Sequence, residues 1–305
     1  MAGAQRRFKE KIRATSTLEK VFRAMELIAA SRISKARNAA LGQDPYTQAL
    51  IKSIQMVAND AQYVHPLVSE RTDTNKVVVF VVTSDRGMAG AYSSSVLREA
   101  DRFMAELREQ GKEPVLYVAG RRGANYYHFR GVPVEQSWVG HSDKPSDAVS
   151  HEIATTLLDR FLAPADAGGV AELHVVYTRF ISMVTQHVHI RRMLPLKVVD
   201  APAAGDGEQA APLAANAPLY EYEPSAQSVF DALLPMYITS RIRGIMLMAA
   251  ASELASRQQA MHSATENAGE LIRQYTRLAN NARQAEITTE ITEIISGADA
   301  LGKSS

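Results

Sequence analysis

The chain has 305 residues, 46% hydrophobic and 22% charged, with a formal net charge of +1 and no cysteine. Those values describe a globular class of one or two domains with a real core; they lack the basic excess that a nucleic-acid binder needs, and they exclude disulfides, thiolate metal sites and thiol nucleophiles. No window approaches 18 consecutive apolar residues and the start MAGAQRRFKEKIR has no apolar signal core, so a soluble chain that meets a membrane only through a partner is expected.

Residues 4–58 read as one long helix, with no proline before Pro45 and one internal glycine, Gly42. Leu18, Phe22, Met25, Ala29, Ile33, Ala36 and Ala40 fall on one face at spacings 4, 3, 4, 4, 3, 4. That period is nearer 3.67 than 3.5, so a strongly left-handed supercoil is not expected. The basic start, Arg6, Arg7, Lys9, Lys11 and Arg13, reads as a solvated face.

The signal then changes. Val77–Thr83 is a continuous β-branched run, the mark of a strand buried on both faces, and the turn SDRGMAG at Ser84–Gly90 leads into a helix over Ser93–Glu109. Pro114–Ala119 repeats the strand, followed by a short helix near Gly123–Phe129, a strand at Val132–Val139 and a helix over Ser146–Phe161. Glu172–Phe180 and Val184–Pro195 complete the segment as a hairpin pair. Strands alternating with helices predict an α/β sandwich on a mostly parallel sheet.

Residues 201–218 are rich in Ala, Pro and Gly and read as a mobile linker. The run LYEYEP at Leu219–Pro224 follows, with Ser225 as an N-cap. From Ser225 to Gly297 a second long helix is predicted; at 1.5 Å per residue it would reach roughly 105 Å, too long for a compact domain to enclose. Ala264, Ala268, Leu271, Tyr275, Leu278, Ala282 and Ala285 show the 4-3 spacing of a coiled-coil seam, which needs a partner helix. Antiparallel pairing with the first long helix is the simplest arrangement; a dimer of two parallel chains competes with it.

The far end of that helix carries no Lys or Arg from Gln284 to Gly302, while Glu286, Glu290, Glu293 and Asp299 set negative charge where the helix dipole favours cations. Ile287, Ile291, Ile294 and Ile295 form one face. A tip held in an external socket explains this pattern; a solvated acidic helix end is the plainer alternative.

No catalytic, metal or cofactor site is expected. Ser84–Gly90 lacks G-x-G-x-x-G, and no G-x-x-x-x-G-K-[ST] occurs, so Gly87 and Gly90 read as turn and packing residues. Asp85 and Arg86 read as a turn-stabilising pair, Gly120-Arg121-Arg122-Gly123 as surface, and His187 and His189 as strand histidines without a carboxylate to complete a metal site.

Against this background, ITTEITEIISGADA at Ile287–Ala300 resembles the I-T-x-E-x-x-E-x-x-x-G-A signature of the γ-subunit family of bacterial F-type ATP synthases. Arg283-Gln284, SATENAGELI at Ser263–Ile272, RAMELIAASRISKA at Arg23–Ala36 and SDRGMAG extend the resemblance over nearly the whole chain. It implies an α/β fold in which the N- and C-terminal helices form a long antiparallel coiled coil with an inserted Rossmann-like domain. The corresponding parts are a helix at 1–60, an α/β domain at 75–200, the linker at 201–218, a helix at 225–297 and a tail at 298–305.

The resemblance also implies a non-catalytic rotor without cofactor, partnered by the α and β hexamer, the ε subunit and the membrane c-ring. By position it assigns Met25, Ala89, Arg283 and Gln284 to β-subunit contacts. Ile287, Glu290, Ile291, Glu293 and Ile294 become the tip inside the hexamer, and Tyr220, Tyr222 and Glu223 the c-ring contacts. Ala89 is expected to be exposed. The chain departs from the usual family pattern at Leu18-Glu19, Met88-Ala89 and Thr289, which leaves the architecture intact.

Overall fold

The fold is taken from a computed structural model that describes residues 2–60, 65–196 and 223–302. The run KVVVFVV becomes strand β1 (Lys76–Val82), with its last six residues buried. Val and Ile lose little by extending, since their branched Cβ suits a pleated surface covered on both sides. β1 pairs in parallel with β2 (Glu113–Ala119) and with β4 (Glu172–Phe180). β3 (Gln136–Trp138) is parallel to β2, and β5 (Gln186–Leu194) returns antiparallel to β4. The resulting order is β3-β2-β1-β4-β5, a Rossmann-like sheet with an antiparallel edge. β3 is shorter than the expected Val132–Val139, because Pro133 brings no N–H to the ladder.

Five helices accompany the sheet: α1 (Ala2–Asp60), α2 (Tyr92–Glu109), α3 (Arg121–Phe129), α4 (Asp147–Leu162) and α5 (Ala226–Gly302). α1 continues through Pro45 and α5 through Pro235, each proline removing one backbone bond from its helix. α5 starts where the sequence places its cap, with the Ser228 N–H donating to Ser225 Oγ at 3.2 Å, and it runs past the expected end at Gly297 to Gly302.

The period-two alternation of β1 sorts the interior into two cores. Val77, Val79 and Val81 pack with Val96, Leu97, Ala100, Met104 and Leu107 of α2 and Tyr127 of α3. Val78, Phe80 and Val82 face the other way, against Ile153, Leu157 and Phe161 of α4 and a stripe of α5: Phe230, Leu234, Ile238, Ile242, Ile245, Met246 and Ala249. α5 is therefore a layer of the α/β sandwich as well as a long helix.

The chain divides into two compact units, residues 30–256 and residues 1–29 with 257–305, the division falling within both long helices. In the larger unit Ile33 packs with Leu254 and Ala255, and the hydroxyls of Thr47 and Ser240 meet at 2.7 Å. In the smaller unit Phe8 stacks on Tyr275 at 6.5 Å, and Glu26 meets His262 Nδ1 at 3.0 Å. Rising numbers on α1 meet falling numbers on α5, so the two helices are antiparallel within this chain.

The seam itself differs from the expected one. On α1 the covered positions of the smaller unit are Gln5, Phe8, Ile12, Thr15, Ser16, Glu19, Phe22, Met25, Glu26 and Ala29, and Leu18 is 51% exposed. Of the face expected at about 3.67 residues per turn, Phe22, Met25, Ala29, Ile33, Ala36 and Ala40 are covered and Leu18 falls outside it. On α5 the expected Ala264, Ala268, Tyr275 and Ala282 are covered, together with Met261, Ile272, Ala279 and Glu286, while Leu271, Leu278 and Ala285 are exposed. Both placements satisfy a 4-3 count; small residues at Ala268 and Ala279 let the helices approach closely and turn the leucines outward.

If α5 is a structural layer, truncation on its stripe must cost far more than truncation elsewhere on the same helix. Ile238→Ala, at a position with 0% exposure, should destabilise the chain by about 2–5 kcal/mol in urea unfolding, whereas Leu271→Ala, at 41% exposure, should cost under about 1 kcal/mol. Equal midpoints for the two variants would contradict the layer assignment.

Candidate functional site

In doubly wound folds ligands bind outside the carboxyl ends of the strands where the strand order reverses, here beyond β1. That place is filled by the protein's own groups. Thr83, fully buried, donates from Oγ1 to the Ala119 carbonyl at 3.0 Å and accepts from the Gly123 N–H at 3.0 Å. A Cβ at Gly120, whose φ is +98°, would stand 2.2 Å from the Thr83 carbonyl oxygen. The glycines of Gly120-Arg121-Arg122-Gly123 thus let α3 start directly against β1. α5 covers the same end, since the Tyr92 hydroxyl donates to the Ala249 carbonyl at 3.2 Å and Ser252 Oγ to the Thr178 carbonyl at 3.0 Å.

Asp85 ties three loops together. Its carboxylate accepts from the N–H of Arg121 at 3.0 Å and of Ser142 at 2.9 Å, and its own N–H donates to Ser142 Oγ at 2.8 Å. Burial pushes the Asp85 carboxyl up, but the backbone donors of Gly140, Ser142 and Arg121 outweigh it and hold the group below its ordinary value. Gly87 has open space around it, so it serves the turn and not close packing.

The expectation that Ala89 is exposed is overturned: Ala89 is buried at 5%, and Met88, in the left-handed region at φ +60°, is 52% exposed. The left-handed residue reverses the direction in which successive side chains leave the turn, tucking Ala89 beneath it. Sequence reasoning missed this because no glycine marks the positive φ.

The last turns of α5 form a different kind of surface. Ile287, Ile291, Ile294 and Ile295 are 44%, 51%, 72% and 57% exposed, on one stripe at i, i+4, i+7 and i+8. Arg283, Gln284, Glu290 and Glu293 are also exposed, and Met25 on α1 is half-buried. Thr288, Thr289 and Thr292 donate their hydroxyls to the carbonyls four residues back, at 2.9, 2.9 and 2.8 Å. Their polar groups are satisfied within the helix, which leaves methyl groups beside the isoleucines. Covering this stripe would release about 1.5–3 kcal/mol per fully buried isoleucine.

Glu223 is exposed just before α5, while Tyr220 and Tyr222 lie outside the described residues, as does the 201–218 linker. His187 and His189 pair across the β4–β5 ladder with Arg179 and Tyr177, and His189 packs edge-on against the Tyr177 ring at 5.8 Å.

Comparison with known proteins fits this geometry. A family model described as ATP synthase matches residues 4–301. The chain is 57% identical over 304 residues to the ATP synthase gamma chain of Beutenbergia cavernae, covering 100% of both chains. It is 51% identical over 303 residues to that of an Arthrobacter species, covering 99% of this chain and 100% of the relative. Among solved structures, a chain of the Euglena gracilis mitochondrial ATP synthase (OSCP/F1/c-ring, rotational state 3) shares the fold with a TM-score of 0.64 at 15% identity, covering 99% of this chain and 95% of the other. A chain of the Tetrahymena thermophila mitochondrial central stalk and c-ring gives 0.57 at 19% identity, covering 80% and 99%.

The Asp85 arrangement generates a test with a defined sign. In Asp85→Asn one of the two backbone N–H groups faces an amide N–H₂, which should destabilise the chain by about 1–2 kcal/mol at pH 7, a modest value because the group is only part-buried. A depressed carboxyl contributes stability above its unfolded value near 3.9 and loses it as pH falls through the folded value. The gap between the two proteins should therefore narrow below about pH 4 in denaturation curves; a gap independent of pH would refute the assignment.

Proposed function

The chain belongs to the ATP synthase gamma-chain family, and from that premise we propose that it is the central-stalk rotor of an F-type synthase, coupling proton flow through a membrane c-ring to ATP synthesis at the β subunits. It is a subunit of the synthase and not its catalytic chain. The observation that carries the rotor reading is the end of α5: a stripe of four exposed isoleucines with no Lys or Arg from Gln284 to Gly302. A free helix end gains nothing from that composition, whereas a bearing inside the α and β hexamer covers the isoleucines and tolerates slip, because apolar contacts have no directional partner to break.

In this reading Ile287, Glu290, Ile291, Glu293 and Ile294 lie within the hexamer, and Met25, Arg283 and Gln284 meet the β subunits. Met88 replaces Ala89 as the contact offered by the β1–α2 turn. Glu223, with Tyr220 and Tyr222, grips the c-ring, and the α/β sandwich seats the ε subunit, through which ATPase activity is regulated. Among the described residues no helix is long and apolar enough to cross a membrane. The chain works as a peripheral subunit on the cytoplasmic face of the cell membrane.

Two experiments test this. Ile291→Asp with Ile294→Asp places charge on side chains that are 51% and 72% exposed, so the fold of the chain should be unchanged while its retention by the α and β hexamer drops at least about tenfold. Undiminished assembly would remove the tip from the bearing.

Rotation is tested with Met88→Cys in a chain that has no cysteine of its own. A single cysteine on β within the roughly 7 Å Cα separation that a disulfide allows will bridge to it in one of the three β subunits. Oxidation should stop multi-turnover ATP hydrolysis and proton pumping, and reduction should restore both. Continued turnover with the bridge fully formed would make the stalk static.

A further inference from the structure

β3 is an edge of the sheet, paired with β2 on one side and with no strand on the other. An edge strand leaves alternate backbone N–H and C=O groups without a ladder partner, and a charge turned toward the open side is the usual protection. β3 is short and follows Pro133, but the strand itself, Gln136–Trp138, carries no charge. The neighbouring carboxylate, Glu135, is drawn off to Arg160 at 3.5 Å. Glu135, Ser137 and Val139 along this edge are all exposed.

Beside the edge runs a groove of about 590 Å³, walled by Ala124, Asn125 and His128 of α3 on one side and by Val132, Val134 and Ser137 on the other. The pleat accounts for it. Trp138 packs against Phe80 and Tyr117 on the α4 side of the sheet, with ring centroids at 6.0 and 6.2 Å, so Ser137 points the opposite way, toward α3. A side chain as small as serine leaves the space between strand and helix open.

The helical wall is basic. At about 100° per residue Arg121, Asn125 and His128 share one stripe, which sets Arg121 over the groove with Arg122 and Phe129 together on its outer lip. Arg130 is turned away, donating to Asp101 at 3.2 Å and to the Tyr126 hydroxyl. Arg121 and Arg122 are exposed, and among the described residues neither side chain makes an ion pair. Phe129 is 92% exposed, the highest value among the described large apolar side chains. A small molecule is held by polar groups that converge in an enclosed pocket, whereas here an open groove follows a strand edge.

We propose that this edge is a docking site for an extended, acidic segment of a partner protein, which joins the five-stranded sheet as a sixth strand beside β3. Its backbone pairs with the outer side of Gln136–Trp138, and every second side chain enters the groove between Ser137 and α3. Carboxylates at the end of the segment meet Arg121 and Arg122. The seat is separate from the surfaces used by the rotor reading at the turn after β1, on the long helices and before α5.

The test uses the full chain and a fluorescein-labelled synthetic peptide, Glu-Glu-Val-Thr-Val-Glu-Glu, whose two acidic ends serve either strand direction. Its anisotropy should rise saturably, and amide hydrogen exchange over residues 136–138 should slow at least about tenfold in the complex. Ser137→Phe fills the groove from an exposed position and should weaken binding at least about tenfold, as should Arg121→Glu with Arg122→Glu; Arg102→Glu, on the exposed face of α2, should not. A peptide with lysine for glutamate, or with proline for the central threonine, should bind at least about tenfold more weakly, the first through charge and the second through its missing N–H. No saturable rise, equal binding of either altered peptide, full affinity in Ser137→Phe, or unchanged exchange at 136–138 would each overturn the site. Inorganic polyphosphate binding as tightly as the peptide would leave only an anion surface and overturn it as well.

Discussion

The apolar stripe of α5 on one face of the sheet is the contact on which the rest of this molecule depends. The β-branched runs of β1 and β4 need cover on both faces, and on the side of Val78, Phe80 and Val82 the segment between the long helices supplies α4 with Leu67 and Val170. α1 adds Val57, and α5 adds a whole stripe, Phe230, Leu234, Ile238, Ile242, Ile245, Met246 and Ala249. At about 1.5–3 kcal/mol for each large side chain, this is enough to make the sandwich unstable without its C-terminal helix. A helix that forms one layer of a core is anchored to that core by many contacts at once.

The same contact changes the character of the Rossmann-like sheet. In such folds the carboxyl end of β1 is where a phosphate-binding loop meets a helix N-terminus. Here Asp85 occupies the amides of Arg121 and Ser142, Thr83 fills the approach beside Gly120 and Gly123, and α5 lies across the strand ends through Tyr92 and Ser252. The backbone donors that would cradle an anion are spent on holding loops together. The turn keeps Arg86 and Met88 exposed.

In the smaller unit the balance of residue sizes decides which groups face outward. Alanines at 268 and 279 in the seam let the two helices close on each other, and Leu18, Leu271 and Leu278 are left outside. Leucines inside would have widened the pair and hidden the apolar surface. The isoleucines beyond Glu286 continue that outward apolar character, with threonine hydroxyls turned back onto their own helix.

Periodicity alone determined the long helices, the parallel strands, the antiparallel return of β5 and the Ser225 cap, because burial on two faces and helix capping leave local patterns that no distant residue can change. The cation-free isoleucine stripe was equally plain, since it follows from the helical spacing of residues that stay largely exposed. Where two registers satisfied the same spacing, the sequence could not choose: Leu271 and Ile272 both fit a seam, and only the packing partner, Phe8 against Tyr275 and Glu26 against His262, selects between them. Met88 and Ala89 exchanged roles because a positive φ on a residue other than glycine is set by how the turn closes on its surroundings.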